Sequence, residues 1–473
     1  MKKNNLLLLL SMLFVTSCGK TIQEGNETTN PINLRSDKPN IVVIFADDLG
    51  YGDLGVYGHP TIKTPNLDQM AIEGQKWTNF YASSSICTPS RTGLLTGRLP
   101  IRSGMCSNKR GVLFPDSKGG IPEYEILISE VLKEQGYNTA CVGKWHLGHL
   151  PQFLPTSNGF DSYYGIPYSN DMDRIDGAGY NETGPNPKVE YFNVPIMRNE
   201  EIIERPANQH TIVSRYTNES IKFIKENKDQ PFFLYLAHSL PHVPLFASEK
   251  FEGTSKRGLY GDVVEEIDWS VGQILAALKE NGLDKNTLVV FSSDNGPWLH
   301  FKEAGGSAGL LREGKGTSYE GGMREPGIFW WPEKINPGVI TDIGSTLDLF
   351  PTICQITGSE VPTDRLYDGV DISSVLFEEK SSDRDEIFYY DNAELFAIRK
   401  GKWKIHYSTR ENAYSRDVQL VKHDPPLLYN LEVDPSEKYN LATEHPDVIE
   451  QFESISQDHL ASVKPVVDQL DIR

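Results

Sequence analysis

The sequence predicts an α/β fold: a doubly wound, mostly parallel sheet flanked by helices, followed by a smaller C-terminal antiparallel sheet plus a helix. Three observations favour this class. Short, continuously apolar runs recur along the chain, stretches with helical spacing separate them, and short strand-like runs replace this pattern near the end. Such apolar runs are typical of strands buried on both faces, and their alternation with helices is typical of a parallel sheet.

Four of the apolar runs lead directly into clusters of polar residues. Ligands of doubly wound sheets bind at the carboxyl ends of the strands, so we expect the four clusters to converge on one pocket. The runs and their clusters are residues 41–45 before Asp47 and Asp48, 139–142 before Lys144 and His146, 232–236 before His238 and His242, and 288–291 before Asp294 and Asn295.

Helical spacing of apolar residues predicts helices over 64–74 and 265–279, and a helix over 345–358 is expected to close the large domain. Beyond residue 369 the pattern changes to a small antiparallel sheet, and 445–462 is predicted to form a terminal helix. The strand-like runs that predict this sheet are residues 386–390, 397–399 and 403–407.

The chain is therefore divided into two structural parts preceded by two segments without a core. Residues 39–368 are predicted to form an N-terminal catalytic domain and residues 369–473 a C-terminal subdomain. Residues 1–18 have the charged start and short apolar stretch of an export signal, which is too short for a confident transmembrane span. Residues 19–38 are expected to form a flexible tether.

The export signal ends in Val-Thr-Ser-Cys, which resembles a bacterial lipobox. Cleavage before Cys18 and its lipidation would make the protein an exported bacterial lipoprotein, located in the periplasm or at the cell surface. The lipid anchor would then be its only membrane contact. A soluble secreted protein is the alternative.

The charge and the cysteine content exclude some classes. The 473 residues carry a formal net charge of −19, which argues against nucleic acid as a partner and requires local cations for any anionic substrate. Five cysteines do not make a disulfide framework. If Cys18 and Cys87 are chemically modified and form no disulfide, the remaining cysteines, Cys106, Cys141 and Cys354, allow at most one intrachain disulfide.

Asp47 and Asp48, followed far along the chain by Asp294 and Asn295, suggest a site for a hard cation. Three carboxylates and an amide oxygen suit calcium or magnesium, and adjacent buried carboxylates would repel each other without a cation. The alternative is that both pairs form solvated turns, since Asp-Asp-Leu-Gly and Asp-Asn-Gly-Pro are turn-like.

The run CTPSRTGLLTG at residues 87–97 is the most specific motif. It resembles the signature C-x-P-S-R-x-x-x-L-T-G of type I sulfatases, in which a sulfatase-maturating enzyme oxidises the cysteine to formylglycine, also called 3-oxoalanine. Cys87 would lie just before a helix, whose N-terminus favours anions, and Arg91 would lie one turn along. The alternatives are a buried structural cysteine and a surface cap charge for Arg91.

Two other patterns resemble different enzymes but fail at decisive positions. His238 and His242 have the spacing of a zincin, but the glutamate base is missing and Pro241 would break the helix. His238 is therefore expected to be structural. Residues 309–316 approach a P-loop, but glycine stands where Ser or Thr should ligate magnesium. Residues 314–322 instead resemble the sulfatase segment whose lysine, here Lys315, contacts sulfate.

The resemblance to type I sulfatases covers about residues 39–440 and is closest in the branch of arylsulfatase A and N-acetylgalactosamine-6-sulfatase. It implies an alkaline-phosphatase-like fold, one calcium ion and a sulfated carbohydrate substrate, with sulfated galactose or N-acetylgalactosamine units as the first expectation. The loops after Ser169 and around 298–302 would set substrate choice. The implied calcium ligands are Asp47, Asp48, Asp294, Asn295 and modified Cys87, and the implied sulfate contacts are Lys144, Ser169 and Lys315.

The same resemblance implies the reaction. A hydroxyl of the hydrated aldehyde at position 87, activated by calcium and braced by Arg91, attacks sulfur. His242, with Lys315 as the other candidate, protonates the leaving alcohol, and His146 takes the proton when sulfate is released. The alternatives are a phosphoesterase of the same fold, which would want a Ser or Thr nucleophile, and a non-catalytic glycan-binding lipoprotein, which should have lost Cys87, Arg91 or a metal ligand.

Overall fold

The structure is a computed structural model that describes residues 38–175, 187–411 and 418–473. The predicted signal segment, Cys18 and all but the last residue of the predicted tether lie outside the described residues. Within the described ranges, no helix combines the length and apolarity needed to cross a membrane.

A ten-stranded sheet forms the large part of the molecule, in the order β10-β2-β9-β8-β1-β7-β3-β4-β5-β6. The central strands β8, β1, β7, β3 and β4 run parallel to one another. The strands are β1 Asn40–Ala46, β2 Gln75–Tyr81, β3 Asn138–Lys144, β4 Ser162–Ile166, β5 Ile196–Arg198, β6 Glu201–Glu204, β7 Phe232–Ala237, β8 Thr287–Ser293, β9 Arg324–Trp330 and β10 Gly338–Ser345.

Two hydrophobic cores, one on each face of the sheet, explain why the strand sequences are apolar throughout. In β1, Val42 and Ile44 belong to one core, whereas Ile41, Val43 and Phe45 belong to the other. Helices cover both faces. The α-helices of the described residues are α1 Pro65–Glu73, α2 Cys87–Thr96, α3 Ile128–Glu134, α4 Ile212–Glu226, α5 Leu259–Glu280, α6 Glu320–Met323, α7 Leu349–Thr357, α8 Ser373–Glu378 and, in the C-terminal part, α9 Pro446–Ser462.

The predicted doubly wound, mostly parallel sheet is thus confirmed, with two antiparallel strands in addition. Strand β5 runs antiparallel to its neighbours β4 and β6. Strand β9 runs antiparallel to both of its neighbours, β8 and β2. Its sequence, Arg-Glu-Pro-Gly-Ile-Phe-Trp, begins with two charged residues and contains proline and glycine, so it lacks the signature of a central strand. Tertiary burial overrides that weak local pattern.

The C-terminal part contains the predicted antiparallel sheet. Its strands are β11 Glu386–Asp391, β12 Glu394–Lys400, β13 Trp403–Glu411 and β14 Gln419–Asn430, in that order. Helix α9 packs on this sheet through Val448 and Phe452, which share a core with Ile398, Ile405 and Leu428. The sequence did not predict β14, whose first half is exposed and carries few apolar residues.

The predicted helix boundaries differ from the observed ones by more than one residue at two N-termini. Helix α5 begins at Leu259, six residues before the predicted start. Helix α7 begins at Leu349 because Ser345 caps a short 3₁₀ turn over Thr346–Asp348. The predicted division of the chain into two domains at residue 369 stays a prediction.

All four described cysteines, Cys87, Cys106, Cys141 and Cys354, are free and buried.

The central strand β7 offers a test of core stability. Leu234 is 0% exposed and lies between Val42 of β1 and Ala140 of β3, so Leu234→Ala should lower the free energy of unfolding by about 2–5 kcal/mol. The matched control is Leu310→Ala, because Leu310 is 77% exposed and its loss should cost less than about 0.5 kcal/mol. Urea unfolding measures both, and equal costs would contradict the placement of β7.

Candidate active site

The four polar clusters meet at the carboxyl ends of β1, β3, β7 and β8, as the sequence predicted. Lys144 Nζ lies 2.6 Å from Asp47 Oδ2, and Asn295 Nδ2 lies 2.7 Å from Asp48 Oδ1. His242 Nε2 is 3.6 Å from Asp48 Oδ2. One pocket therefore gathers residues as distant in the sequence as Asp48 and Asn295, which are 247 positions apart. Asp48 contacts side chains from two of the other clusters, Asn295 and His242.

The carboxylates of this pocket are completely removed from water. Asp47, Asp48 and Asp294 are at most 2% exposed. Burial raises the pKa of Asp48 to about 7, with Lys315 opposing the rise and the carboxylates of Asp47 and Asp294 adding to it. Such a concentration of negative charge calls for cations close by.

Four side chains could hold a metal ion together: the ligand atoms of Asp47, Asp48, Cys87 and His242 lie within 4.8 Å of one another. The side-chain oxygen of Asn295 is buried beside them and has no hydrogen-bond partner among the described residues. An orphaned buried oxygen next to carboxylates fits a hard cation. His242 was not predicted in this group, because the sequence motif indicated proton transfer.

Asp294 has a different environment from the other two carboxylates. Its Oδ2 accepts hydrogen bonds from Arg91 Nε at 3.0 Å and Nη2 at 2.8 Å, and its Oδ1 accepts the Asp48 N–H at 3.1 Å. Arg91 is 0% exposed and also donates to the Lys144 carbonyl at 3.1 Å. Arg91 is therefore a buried brace between β3 and β8, which rules out the surface-charge alternative.

Cys87 is the first residue of α2, preceded by Ile86 in an extended conformation. Its Sγ lies 3.5 Å from Asp47 Oδ1 and 3.4 Å from Lys315 Nζ. Burial raises the pKa of the Cys87 thiol far above its usual range, although Lys144 and Lys315 oppose this. An unmodified thiol here would stay protonated, and a protonated thiol is a poor nucleophile.

The three residues predicted to contact sulfate lie around Cys87. Lys144 Nζ is 3.2 Å from Ser169 Oγ, so this lysine bridges Ser169 and Asp47. Lys315 Nζ is 2.7 Å from Asp48 Oδ1 and lies 4.4 Å from the centre of the Trp298 ring. Two ammonium groups and a hydroxyl thus approach the first turn of α2.

The two predicted proton-transfer histidines expose different ring nitrogens. His146 Nε2 lies 2.9 Å from the Leu113 carbonyl, so Nε2 carries the proton. The other ring nitrogen, Nδ1, is then a buried acceptor, and it has no hydrogen-bond partner in the part of the chain that the structure describes. His242 Nδ1 bonds to the Val243 carbonyl, which leaves Nε2 facing Asp48. Burial lowers the pKa of both rings, helped by Lys144 at His146 and by Lys315 at His242.

His238 does not take part in this arrangement. It is 0% exposed, packs 6.4 Å from the Tyr216 ring and has no hydrogen-bond partner on either ring nitrogen. Burial lowers its pKa to about 3, so it is neutral. These contacts agree with a structural side chain.

A cavity of about 440 Å³ opens over Cys87. The two loops expected to set substrate choice contribute to its wall: the loop after Ser169 provides Asp171, Met172, Asp173 and Arg174, and the other loop provides Trp298. The wall also contains Val112, Phe114 and Pro115, which sequence reasoning missed. These three residues come from a loop without a recognisable motif, so no local signal could have found them.

Comparison with known proteins gives a consistent set of relatives. The sulfatase family model matches residues 39–359, and a model for the C-terminal region of aryl-sulfatase matches residues 382–473. Arylsulfatase A of Homo sapiens is 42% identical over 447 residues, covering 88% of this chain and 87% of that protein. N-acetylgalactosamine-6-sulfatase of Mus musculus is 40% identical over 472 residues, covering 92% and 88% respectively.

Solved structures extend the likeness to the fold. The crystal structure of Ps i-CgsB in complex with k-i-k-neocarrahexaose matches with a TM-score of 0.78 and 31% identity, covering 92% of this chain and 95% of that one. The matches span both the large sheet and the C-terminal sheet, and they confirm the resemblance to sulfatases that the sequence motifs indicated. The chain therefore belongs to the sulfatase family, and it is a sulfuric ester hydrolase with an alkaline-phosphatase-like fold.

Proposed function

We propose that the protein is a calcium-dependent sulfatase that hydrolyses sulfate monoesters of carbohydrates through a formylglycine made from Cys87. The environment of Cys87 carries this proposal. Its thiol is buried and protonated at the start of α2, between Asp47 and Lys315, and the residues that follow it complete the maturation signature. A sulfatase-maturating enzyme is accordingly a required partner.

The donor set suits calcium. Asp47, Asp48, Asp294 and Asn295 would hold the ion together with the modified residue 87, and the unpartnered Asn295 oxygen supports this set. When bound, calcium supplies Lewis-acid charge for activating an attacking oxygen. Within the described residues, no second group of acids, histidines or cysteines has metal-binding geometry, so nothing favours a two-metal phosphoesterase.

Lys144, Ser169 and Lys315 are proposed to bind the sulfate group of the substrate. The Lys144 ammonium group pairs with Asp47 and that of Lys315 with Asp48 and Cys87 Sγ, beside the start of α2, where free N–H groups also favour an anion. Because Lys144 and Lys315 are 0% and 6% exposed, their positive charges are held in place and offset the charge of the transferring group without reorganisation. The overall charge of −19 makes this local field necessary.

The ring tautomers of His146 and His242 support the proposed proton transfers. His146 offers the lone pair of Nδ1, which suits a base that accepts a proton during sulfate release. His242 directs Nε2 into the cavity, which suits proton donation to the leaving oxygen once a bound sulfate ester favours its charged form. Lys315 remains the second candidate for the acid, since its Nζ lies in the same wall.

A carbohydrate substrate is supported by the cavity and the relatives. A volume of about 440 Å³ accommodates one or two sugar rings, and its wall combines Phe114 and Trp298 with the polar side chains of Asp171 and Arg174. Two relatives carry carbohydrate in their names, an N-acetylgalactosamine-6-sulfatase and a structure in complex with neocarrahexaose. We therefore infer sulfated galactose or N-acetylgalactosamine units as substrates.

We also propose that the protein is exported and anchored through a lipid on Cys18, in the periplasm or at the cell surface. The support is the lipobox-like sequence that follows the short apolar stretch of residues 1–18. An extracytoplasmic location would give the enzyme access to sulfated glycans that do not enter the cell.

Oxidation of Cys87 is the first prediction of this mechanism. Protein produced together with a maturating enzyme should contain an aldehyde in place of the thiol, and peptide mass spectrometry measures the change. Cys87→Ala serves as the control and should be inactive yet folded. Full activity in protein whose Cys87 is entirely unmodified thiol would disprove the mechanism.

The metal site predicts the behaviour of two variants at position 294. Asp294→Ala should abolish activity and abolish the increase in melting temperature on adding calcium. It should also cost about 3–5 kcal/mol of stability, because it removes the carboxylate that accepts two hydrogen bonds from the buried Arg91 guanidinium. Asp294→Asn is the control, since it keeps an acceptor for Arg91 while removing the charge. Calcium stabilisation of Asp294→Asn equal to that of wild type would place the ion elsewhere.

The role of His242 depends on the leaving group. A sugar alkoxide needs protonation whereas nitrophenolate does not, so His242→Ala should lose about 10²-fold more rate on a sulfated sugar than on nitrophenyl sulfate. His146→Ala is the comparison and should impair both substrates, because sulfate release from residue 87 is common to them. Equal losses on both substrates for His242→Ala would transfer the acid role to Lys315.

A further inference from the structure

A fully buried ionic cluster joins the large sheet to the C-terminal sheet. It contains Glu320 at the start of α6, Lys404 and His406 on β13, and Glu437 in the loop after β14, each of them 0% exposed. None of these residues lines the cavity over Cys87. The cluster therefore lies outside the site described above, although Glu320 follows Lys315 by only five residues.

The groups of the cluster are closely paired. Lys404 Nζ lies 2.9 Å from Glu320 Oε1 and 3.0 Å from Glu437 Oε1, so one ammonium group holds two carboxylates. His406 Nε2 is 2.7 Å from the same oxygen of Glu437. Burial opposes charge on Glu437, but Lys404 and His406 hold its pKa below the usual value, so the carboxylate is ionised.

Glu437 also holds both ends of the segment that carries Lys315. Its Oε2 accepts the backbone N–H of Glu320 at 2.7 Å, and its carbonyl accepts Arg312 Nη1 at 3.0 Å. The two ends are joined, because Gly321 N donates to the Arg312 carbonyl at 2.8 Å. The segment from 312 to 321 is thus a closed loop fixed on one residue of the C-terminal part.

Stability alone does not account for such a cluster. Replacing a buried ionic group by apolar residues of similar volume is often neutral or stabilising, because burying charges is costly. What the carboxylate of Glu437 gives here is direction, because it accepts the backbone N–H of Glu320 at the end of the loop. Lys315 Nζ must lie 3.4 Å from Cys87 Sγ and 2.7 Å from Asp48 Oδ1. The centre of the loop is held where Lys315 N donates to the Pro297 carbonyl at 3.0 Å and Gly316 N donates to the Ser85 carbonyl at 2.9 Å, whereas Glu437 holds its two ends.

We propose that Glu437, held by Lys404 and His406, is a positioning residue that fixes the Lys315 loop over residue 87, so that the C-terminal sheet completes the sulfate site. This inference rests on the proposed sulfate contact of Lys315. Loss of the Glu437 carboxylate would leave the metal ligands and His146 in place and would misplace the ammonium group of Lys315. A misplacement near 1 Å can cost about 10²-fold in rate.

A double-mutant cycle on the matured, calcium-loaded full chain tests the proposal. Glu437→Gln should lower kcat/KM for nitrophenyl sulfate about 10- to 10²-fold, and Lys315→Ala should lower it at least as much. The double variant should match Lys315→Ala within about twofold, because Glu437 acts through Lys315. Glu437→Gln should also weaken binding of inorganic sulfate, measured as a smaller thermal shift at constant ionic strength.

The control is Asp348→Asn, which alters another buried ion pair between the large part and the C-terminal part: Arg384 Nε donates to Asp348 Oδ2 at 2.8 Å. It should leave sulfate binding unchanged and combine multiplicatively with Lys315→Ala. If Glu437→Gln does not fold, Glu437→Asp replaces it, with the same expectation because the shorter side chain cannot reach the loop.

The outcomes separate the proposal from the function on which it rests. Full activity in Lys315→Ala would disprove the sulfate contact itself. Impaired Lys315→Ala combined with a silent or multiplicative Glu437 variant would disprove the positioning role while leaving the sulfatase site intact.

Discussion

Three carboxylates buried at the ends of neighbouring parallel strands form the constraint on which the rest of this site depends. Asp47, Asp48 and Asp294 cannot remain ionised without positive charge, and the chain brings Arg91, Lys144 and Lys315 to them from three other elements. These same cations surround the first turn of α2, where the sulfate of a substrate would lie. The same three cations therefore neutralise the buried acids and attract the sulfate anion.

This constraint also decides the local backbone. Asp48 adopts φ 63°, a left-handed conformation that directs its N–H to Asp294 and its carboxylate to Lys315. Gly296 follows Asn295 where a Cβ would lie 1.8 Å from the Gly321 carbonyl, so only glycine lets the strand end approach the Lys315 loop. Strained and glycine-dependent positions thus occur where the acids meet their cations.

The sequence could predict those parts of the molecule whose signal is local. The central strands, the convergence of their polar ends and the placement of Cys87 at a helix start all follow from short patterns. Strand β9 and the wall residues Phe114 and Pro115 could not be predicted, since long-range packing alone defines them. Ring tautomers such as that of His146 depend on a carbonyl thirty-three residues away, which no pattern in the sequence shows.

The C-terminal sheet illustrates why a division into domains is an incomplete guide to function. Read along the chain, it is an appendage that follows the catalytic residues. In the folded structure, Lys404 and Glu437 contact Glu320, and all three side chains are 0% exposed. On the side of β8, Gly296 N donates to the carbonyl of Gly322, the residue that follows the loop, at 3.1 Å. The loop that carries Lys315 is thereby held between the metal-site strand β8 and the C-terminal sheet. Because both sides must be folded for the lysine to face residue 87, the active site depends on the whole described fold rather than on the large sheet alone.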